Sequence, residues 1–190
     1  MQRLIEKGII NLNDLMPKIH YEVERRANVK LEDVLPPEST LKRIYGGTDT
    51  YFSLEPKFLR VRNMTLIHPY LSHIQNICEK EIVDDCAVKE CEKDIPDAQA
   101  LIKSLTESEG KPKVIIDGWR KEYSFGDLTV CVDDIKDLGN WTEIEKITKS
   151  KKESSEALRE VVKAFESLGV KENQLTSELY PTMLYKKFHD

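Results

Sequence analysis

Apolar and polar residues alternate with a period of two through most of the chain. Seven segments read as strands on this pattern: 19–29, 49–52, 58–64, 88–93, 114–125, 128–135 and 142–147. They are rich in β-branched and aromatic residues and are bounded by Gly, Pro, Asn or Asp, which interrupt extended backbone. Gly126 in Phe125-Gly126-Asp127-Leu128 predicts a hairpin, and Asp137-Leu138-Gly139-Asn140 predicts another, because glycine supplies the turn. Two stretches follow the helical period instead. Over 97–107, Ala98, Leu101, Ile102 and Leu105 share one face and Gly110 ends it. Over 154–168 the face is Ala157, Leu158, Val161, Val162, Phe165 and Leu168, with Ser154 or Ser155 as cap and Gly169 as stop. A shorter helix is expected around 39–44 after Pro36-Pro37, and a last turn or helix after Pro181. The stretch 65–87 is ambiguous. Residues 1–15 read as an amphipathic leader, apolar at Leu4, Ile5, Ile9, Ile10 and Leu12. The division is therefore a leader over 1–18, offered as a partner-docking helix, and one domain over 19–190. The fold class is α+β, a mostly antiparallel β-fold with helices outside.

Composition narrows the classes. The chain has 190 residues, 39% hydrophobic and 33% charged, which suits one soluble domain with one sizeable core. Its apolar runs fall far short of the roughly 18 residues of a spanning helix, so no membrane partner is expected. The N-terminus lacks the apolar run and cleavage site of a signal peptide, and a reduced, cytoplasmic setting is expected. The net charge of −5 argues against a generic nucleic-acid surface. It leaves room for a small anionic ligand in a local pocket. Four cysteines are present, at 78, 86, 91 and 131. With His68 and His73 they form no C-x-x-C pair and no regular spacing, which argues against structural zinc. Cys131, in an apolar run, reads as a small buried side chain.

The charges are patterned. Glu22, Glu24 and Arg26 fall on one face of the first strand; Arg60 and Arg62, Glu90 and Glu92, and Glu143 and Glu145 are further pairs at spacing two. Residues two apart in a strand point the same way, with Cα atoms about 6.6–6.8 Å apart. Two carboxylates at that spacing can share a metal, and two guanidiniums can grip successive phosphates. Taken singly, each pair is an ordinary solvated strand face. Taken together with Asp133, they suggest one charged interior, whose desolvation costs several kcal/mol per ion unless ligands or counter-ions compensate. A barrel with a polar lumen and helices outside satisfies both patterns.

Several segments resemble the CYTH family, which contains class IV adenylyl cyclases and thiamine or inorganic triphosphatases of the triphosphate tunnel fold. Glu22-Val23-Glu24-Arg25-Arg26 resembles the opening E-x-E-x-K, Asp49-Thr50-Tyr51-Phe52 the D-T-Y-F segment, and Leu59-Arg60-Val61-Arg62 the L-R-I-R strand. Glu90-Cys91-Glu92 sits where the family carries an acidic strand, and Arg120-Lys121-Glu122-Tyr123 resembles R-x-x-Y. Asp133 through Leu138-Gly139 to Glu143-Ile144-Glu145 resembles D-x-V-x-x-L-G-x-F-x-E-I-E, and Leu179-Tyr180-Pro181-Thr182-Met183-Leu184 echoes S-Y-x-x-L-L. The pieces run in family order over roughly 19–186.

The resemblance implies a closed antiparallel β-barrel that binds a triphosphate and Mg²⁺ or Mn²⁺. Glu22, Glu24, Glu143 and Glu145 match metal-binding carboxylates, with Asp133 a fifth. Hard oxygen ligands suit those cations. Arg26, Arg60, Arg62 and Arg120 match phosphate-binding positions, with Glu90 and Glu92 placed among the substrate-binding residues. Glu22, Glu24 and Arg26 form the implied catalytic group. The sequence departs from the family in three places. Arg26 stands for Lys. The L-T-Y-K-G-P segment finds its nearest match in Leu71-Ser72-His73-Ile74-Gln75-Asn76, without a lysine. Gly118 stands where a second Lys often precedes Arg120. The matched lumen then carries seven acids against four bases, which predicts strong metal dependence. His73 reads as an ordinary loop or strand histidine.

Two functions follow as expectations. The first is an enzyme, either cyclising ATP to cyclic AMP and pyrophosphate or hydrolysing ATP, tripolyphosphate or thiamine triphosphate. The compact size and the L-G to E-I-E tail lie slightly closer to the cyclase branch. The second is a nucleotide- or polyphosphate-binding module with impaired turnover. RNA 5′-triphosphate removal is disfavoured, because no added basic surface is present. Homodimerisation is left open.

Overall fold

Alternation in the strands here buries both sides, one under helices and one inside a closed ring. A computed structural model describes residues 18–32, 35–85 and 87–189. Its strands are β1 (Lys18–Ala27), β2 (Thr40–Ser53), β3 (Lys57–His68), β4 (Ser72–Ile82), β5 (Val88–Asp94), β6 (Val114–Phe125), β7 (Leu128–Ile135) and β8 (Gly139–Thr148). They close into one barrel in the order β1-β5-β4-β3-β2-β6-β7-β8, every neighbouring pair antiparallel. The helices are α1 (Ala98–Glu109), α2 (Ser154–Ser167) and α3 (Tyr180–His189). The expected α+β barrel with helices outside is the observed one.

The apolar core lies between barrel and helices. Val23, Val61, Ile77, Val130 and Ile144 are fully buried on the outward face. Leu101 and Leu105 of α1 pack on Phe52, Val61 and Ile77. Val161, Ala164 and Phe165 of α2 pack on Ala27, Val130 and Ile144. Truncating a fully buried Phe such as Phe165 to Ala would cost about 3–5 kcal/mol. Inward residues are mostly charged, because the outward set already supplies the burial. At one end of the barrel Leu179 and the α3 residues Tyr180 and Leu184 pack with Tyr51, Phe58, Val114, Ile116 and Ile135, which covers that end with apolar side chains.

Local signals account for most boundaries. Asp97 caps α1 by accepting a hydrogen bond from the Ala100 amide at 3.0 Å. Gly126 (φ 58°) and Gly139 (φ 82°) turn the two hairpins as their sequence predicts. Three expectations change. The short helix around 39–44 is instead the start of β2, where Arg43 pairs with Glu122 and Tyr45 with Arg120 of β6. The ambiguous 65–87 resolves into the end of β3 and the whole of β4. Neither Ser154 nor Ser155 caps α2: a 3₁₀ turn over Lys151–Glu153 leads into it, and the Ser154 hydroxyl is buried without a partner. The leader over 1–15 and Cys86 lie outside the described residues. His73 is an exposed residue of β4, and Cys131 is fully buried, as read, though it stands at an inward position.

Candidate active site

The register fixes which charges meet. On β1 and β8, Glu24 pairs directly with Glu145, and Arg26 with Glu143. Like charges opposed across adjacent strands are destabilising unless something lies between them. Oxygen atoms of Glu22, Glu24 and Glu145 lie within 4.8 Å of one another. Burial, then the neighbouring Glu90, pushes the Glu22 carboxyl well up. Burial and Glu143 push Glu145 up to about 7. One oxygen of Glu24, Oε1, is buried with no hydrogen-bond partner. Three converging carboxylates with an orphaned oxygen fit a hard divalent cation, which takes oxygen ligands and shares them with phosphate.

Around this triad the cations are placed. Arg26 reaches Glu24 at 2.6 Å and Glu143 at 2.5 Å, and its guanidinium lies 4.8 Å from the centre of the Tyr180 ring. Lys80, inward on β4, contacts Glu22 at 2.9 Å and also Glu90. Burial works against its charge, but Glu22 and Glu90 outweigh that and raise its pKa. His20 lies 3.4 Å from Glu90, and the hydrogen bond between them raises the imidazole pKa.

The facing wall is basic. In the ring order β3 lies across from β8, and β2 across from β1. Arg62 forks onto Asp49 at 2.8 and 2.7 Å. Arg120 forks onto Asp133 at 2.7 and 2.8 Å and reaches Glu143 at 3.0 Å. Arg60 contacts Glu92 at 3.1 Å, and its Nε is buried without a partner. Asp133 also accepts a hydrogen bond from the Tyr180 hydroxyl at 2.9 Å, which ties the wall to α3. Glu122 accepts from Tyr45 and from Arg43, each at 2.5 Å. Planar guanidinium forks suit phosphate as well as carboxylate, so each such pair can exchange its acid for an anion.

All of these groups line one cavity of about 310 Å³. Every site residue read from the sequence is there: Glu22, Glu24, Arg26, Arg60, Arg62, Glu90, Glu92, Arg120, Asp133, Glu143 and Glu145. They are not equivalent. Glu22, Glu24 and Glu145 converge, while Asp133 and Glu143 are already held by arginines. The sequence reading missed Lys80, Asp49, Glu122, Tyr45, Tyr180, His20 and Asn76. Lys80 corrects the missing lysine: β4 does carry an inward base, hidden because Glu79 and Glu81 flank it and blur the alternation. The lining carries ten carboxylates against seven Lys and Arg side chains, three short of neutral.

The comparisons with known proteins agree with this fold. The family model for the CYTH domain matches residues 20–180. The solved PH1819 protein of Pyrococcus horikoshii OT3 is similar at 22% identity and TM-score 0.77, covering 87% of this chain and 99% of that one. A conserved hypothetical protein of Pyrococcus furiosus is similar at 27% identity and TM-score 0.70, covering 85% and 98%. A "putative adenylate cyclase" of Vibrio parahaemolyticus shares the fold at 14% identity and TM-score 0.65, covering 86% and 97%. No curated protein matches the chain.

Proposed function

This chain belongs to the CYTH domain family, and on that footing we propose that it is a divalent-metal-dependent phosphoryl-transfer enzyme acting on a triphosphate inside its barrel. The observation that carries this reading is the pairing of Glu24 with Glu145 beside Glu22, across one lumen from Arg60 and Arg62. Glu22, Glu24 and Glu145 would hold Mg²⁺ or Mn²⁺, with Glu143 and Asp133 close behind. When bound, the cation supplies positive charge to phosphate oxygens as charge builds during transfer. Arg60, Arg62, Arg120 and Lys80 bind the remaining phosphate oxygens. Arg26, held by two glutamates and Tyr180, fixes the position of Glu24 and offers its unpartnered Nε and Nη1 to the substrate. Leu179, Tyr180 and Leu184 cover one end with apolar side chains, which would limit water there and strengthen these contacts.

Of the two reactions, we favour cyclisation of ATP in the manner of class IV adenylyl cyclases. The ribose 3′-hydroxyl oxygen bonds to the α-phosphorus, the bond to the β-phosphate oxygen breaks, and pyrophosphate leaves. Support comes from the Leu138-Gly139 to Glu143-Ile144-Glu145 pattern, which lies slightly closer to the cyclase branch. Hydrolysis of the terminal phosphate is the alternative. A second reading, a binding module with impaired turnover, draws on Arg26: a guanidinium in place of lysine cannot give up its proton, so it cannot activate a nucleophile. The test is to supply ATP, tripolyphosphate or thiamine triphosphate with Mg²⁺ or Mn²⁺ and follow cyclic AMP, pyrophosphate and phosphate. Cyclic AMP with pyrophosphate supports the cyclase, phosphate the triphosphatase, and tight binding without product the module. No binding of any triphosphate overturns all three.

A further inference from the structure

Asn76 has no counterpart in the metal and phosphate chemistry above. It is inward on β4, 4% exposed, and lines the tunnel. Its Oδ1 is buried with no hydrogen-bond partner. A buried acceptor left in that state costs about 1–3 kcal/mol unless a ligand donates to it. Its partner on β3 is Arg62, a phosphate-binding candidate, and its partner on β5 is Asp94, a second acceptor lining the same cavity.

One step further from the α3 end, apolar side chains enter the lining among the charged ones. Met64 pairs with Ile74 there, and Ile147 comes from β8, the strand across the barrel from β3. Met64 is paired with Gly47, and Gly47 with Gly118, so two successive inward positions carry no side chain. Neither position can accept one: a Cβ on Gly47 would lie 2.4 Å from the Asn63 carbonyl oxygen, and one on Gly118 2.6 Å from that of Asp134. Apolar lining from Met64, Ile74 and Ile147 beside Arg62, with the unpartnered Asn76 oxygen at its edge, suits a nucleobase better than a bare polyphosphate.

We propose that Asn76 is the base-reading residue, and that the substrate is a nucleoside triphosphate whose base carries an exocyclic amino group. The inference rests on the triphosphate reading and narrows it. Asn76 Oδ1 accepts a hydrogen bond from the amino group, as an asparagine does from adenine N6, while Met64, Ile74 and Ile147 cover the ring. A base with a carbonyl at that position sets oxygen against oxygen and leaves Asn76 unsatisfied, which a site built to accept a hydrogen bond rejects.

The experiment compares the dissociation constants of ATP with inosine triphosphate and of CTP with UTP, with Mg²⁺ present and tripolyphosphate as reference. Each pair differs in replacing the amino group by a carbonyl. The expected result is tighter binding of the amino-bearing member of at least one pair, by about tenfold or more, corresponding to one net hydrogen bond. In Asn76→Ala that preference falls close to one. Equal affinity within both pairs overturns the inference, and so does an unchanged preference in Asn76→Ala. The wild-type comparison needs no variant, so misfolding of Asn76→Ala leaves the proposal open to refutation. If tripolyphosphate binds but no base is distinguished, only this inference fails. If neither tripolyphosphate nor any nucleotide binds, the reading beneath it fails as well.

Discussion

On the wall formed by β2, β3 and β6, each inward arginine already rests against a carboxylate, Arg62 on Asp49 and Arg120 on Asp133 through two hydrogen bonds apiece. On the wall formed by β1 and β8, Glu24 and Glu145 oppose each other and Glu24 keeps a bare oxygen. The two walls share one cavity and one strand geometry, yet they stand in different electrostatic states. The basic wall is pre-neutralised. Its arginines hold their orientation by gripping internal acids, and an incoming phosphate would replace one anion with another. The acidic wall is unfinished, and burial holds Glu22 and Glu145 toward their neutral forms. A cation would complete it. The difference teaches that charge in a closed lumen need not balance locally, provided the ligand that arrives carries what is missing.

The comparison can be broken most severely at Glu24. Glu24→Gln should lower turnover about a thousandfold or more, because several kcal/mol of charge stabilisation depend on the cation it helps to hold. Its Tm should stay within a few degrees, since the weakened Glu24–Arg26 ion pair is offset by relief of the contact with Glu145, and Glu143 still holds Arg26. Turnover near wild type would remove the acidic wall from the chemistry. Chelation comes next. Titrating tripolyphosphate with and without a strong chelator should show affinity falling about a hundredfold, because the lining holds ten carboxyl groups against seven Lys and Arg side chains before a polyanion enters. Equal affinity would mean that the basic wall suffices alone.

Arg60→Ala should raise KM about ten- to thirtyfold and leave kcat nearly unchanged, the loss of one charge-assisted contact made equally in ground and transition states. An unaltered KM would take Arg60 out of the phosphate path. The mildest test concerns stability. Burial opposes the Asp49 charge, but Arg62 and Arg60 outweigh it and hold the carboxyl below its ordinary range. Its contribution is therefore present above the ordinary aspartate pKa and fades as pH falls through the depressed one. Wild type should melt a few degrees above Asp49→Asn at pH 7, with the gap closing below about pH 4. A gap that persists at low pH would show that Asp49 acts through packing rather than charge.

Much of this molecule was legible in one dimension. Spacing two is a local property, so Glu22 with Glu24, Arg60 with Arg62 and Glu143 with Glu145 could be placed on common faces before any strand was paired. The helices announced themselves through period and stop signals, as Asp97, Gly110 and Gly169 did. What failed locally was obscured by local features. Arg43 was read into a short helix around 39–44 set off by Pro36-Pro37, and Lys80 was hidden between Glu79 and Glu81.

The sequence by itself determined that the strands carry charge on one side and apolar residues on the other, since that choice is written in alternation alone. Only the closed barrel decided which charges meet. Glu24 faces Glu145 across 121 positions of chain because β1 pairs with β8, and Asn76 stands beside Arg62 because β4 lies against β3. Those partnerships depend on register between distant segments, and the energy that sets register comes from the helix-covered outer face, not from the lumen whose chemistry it arranges.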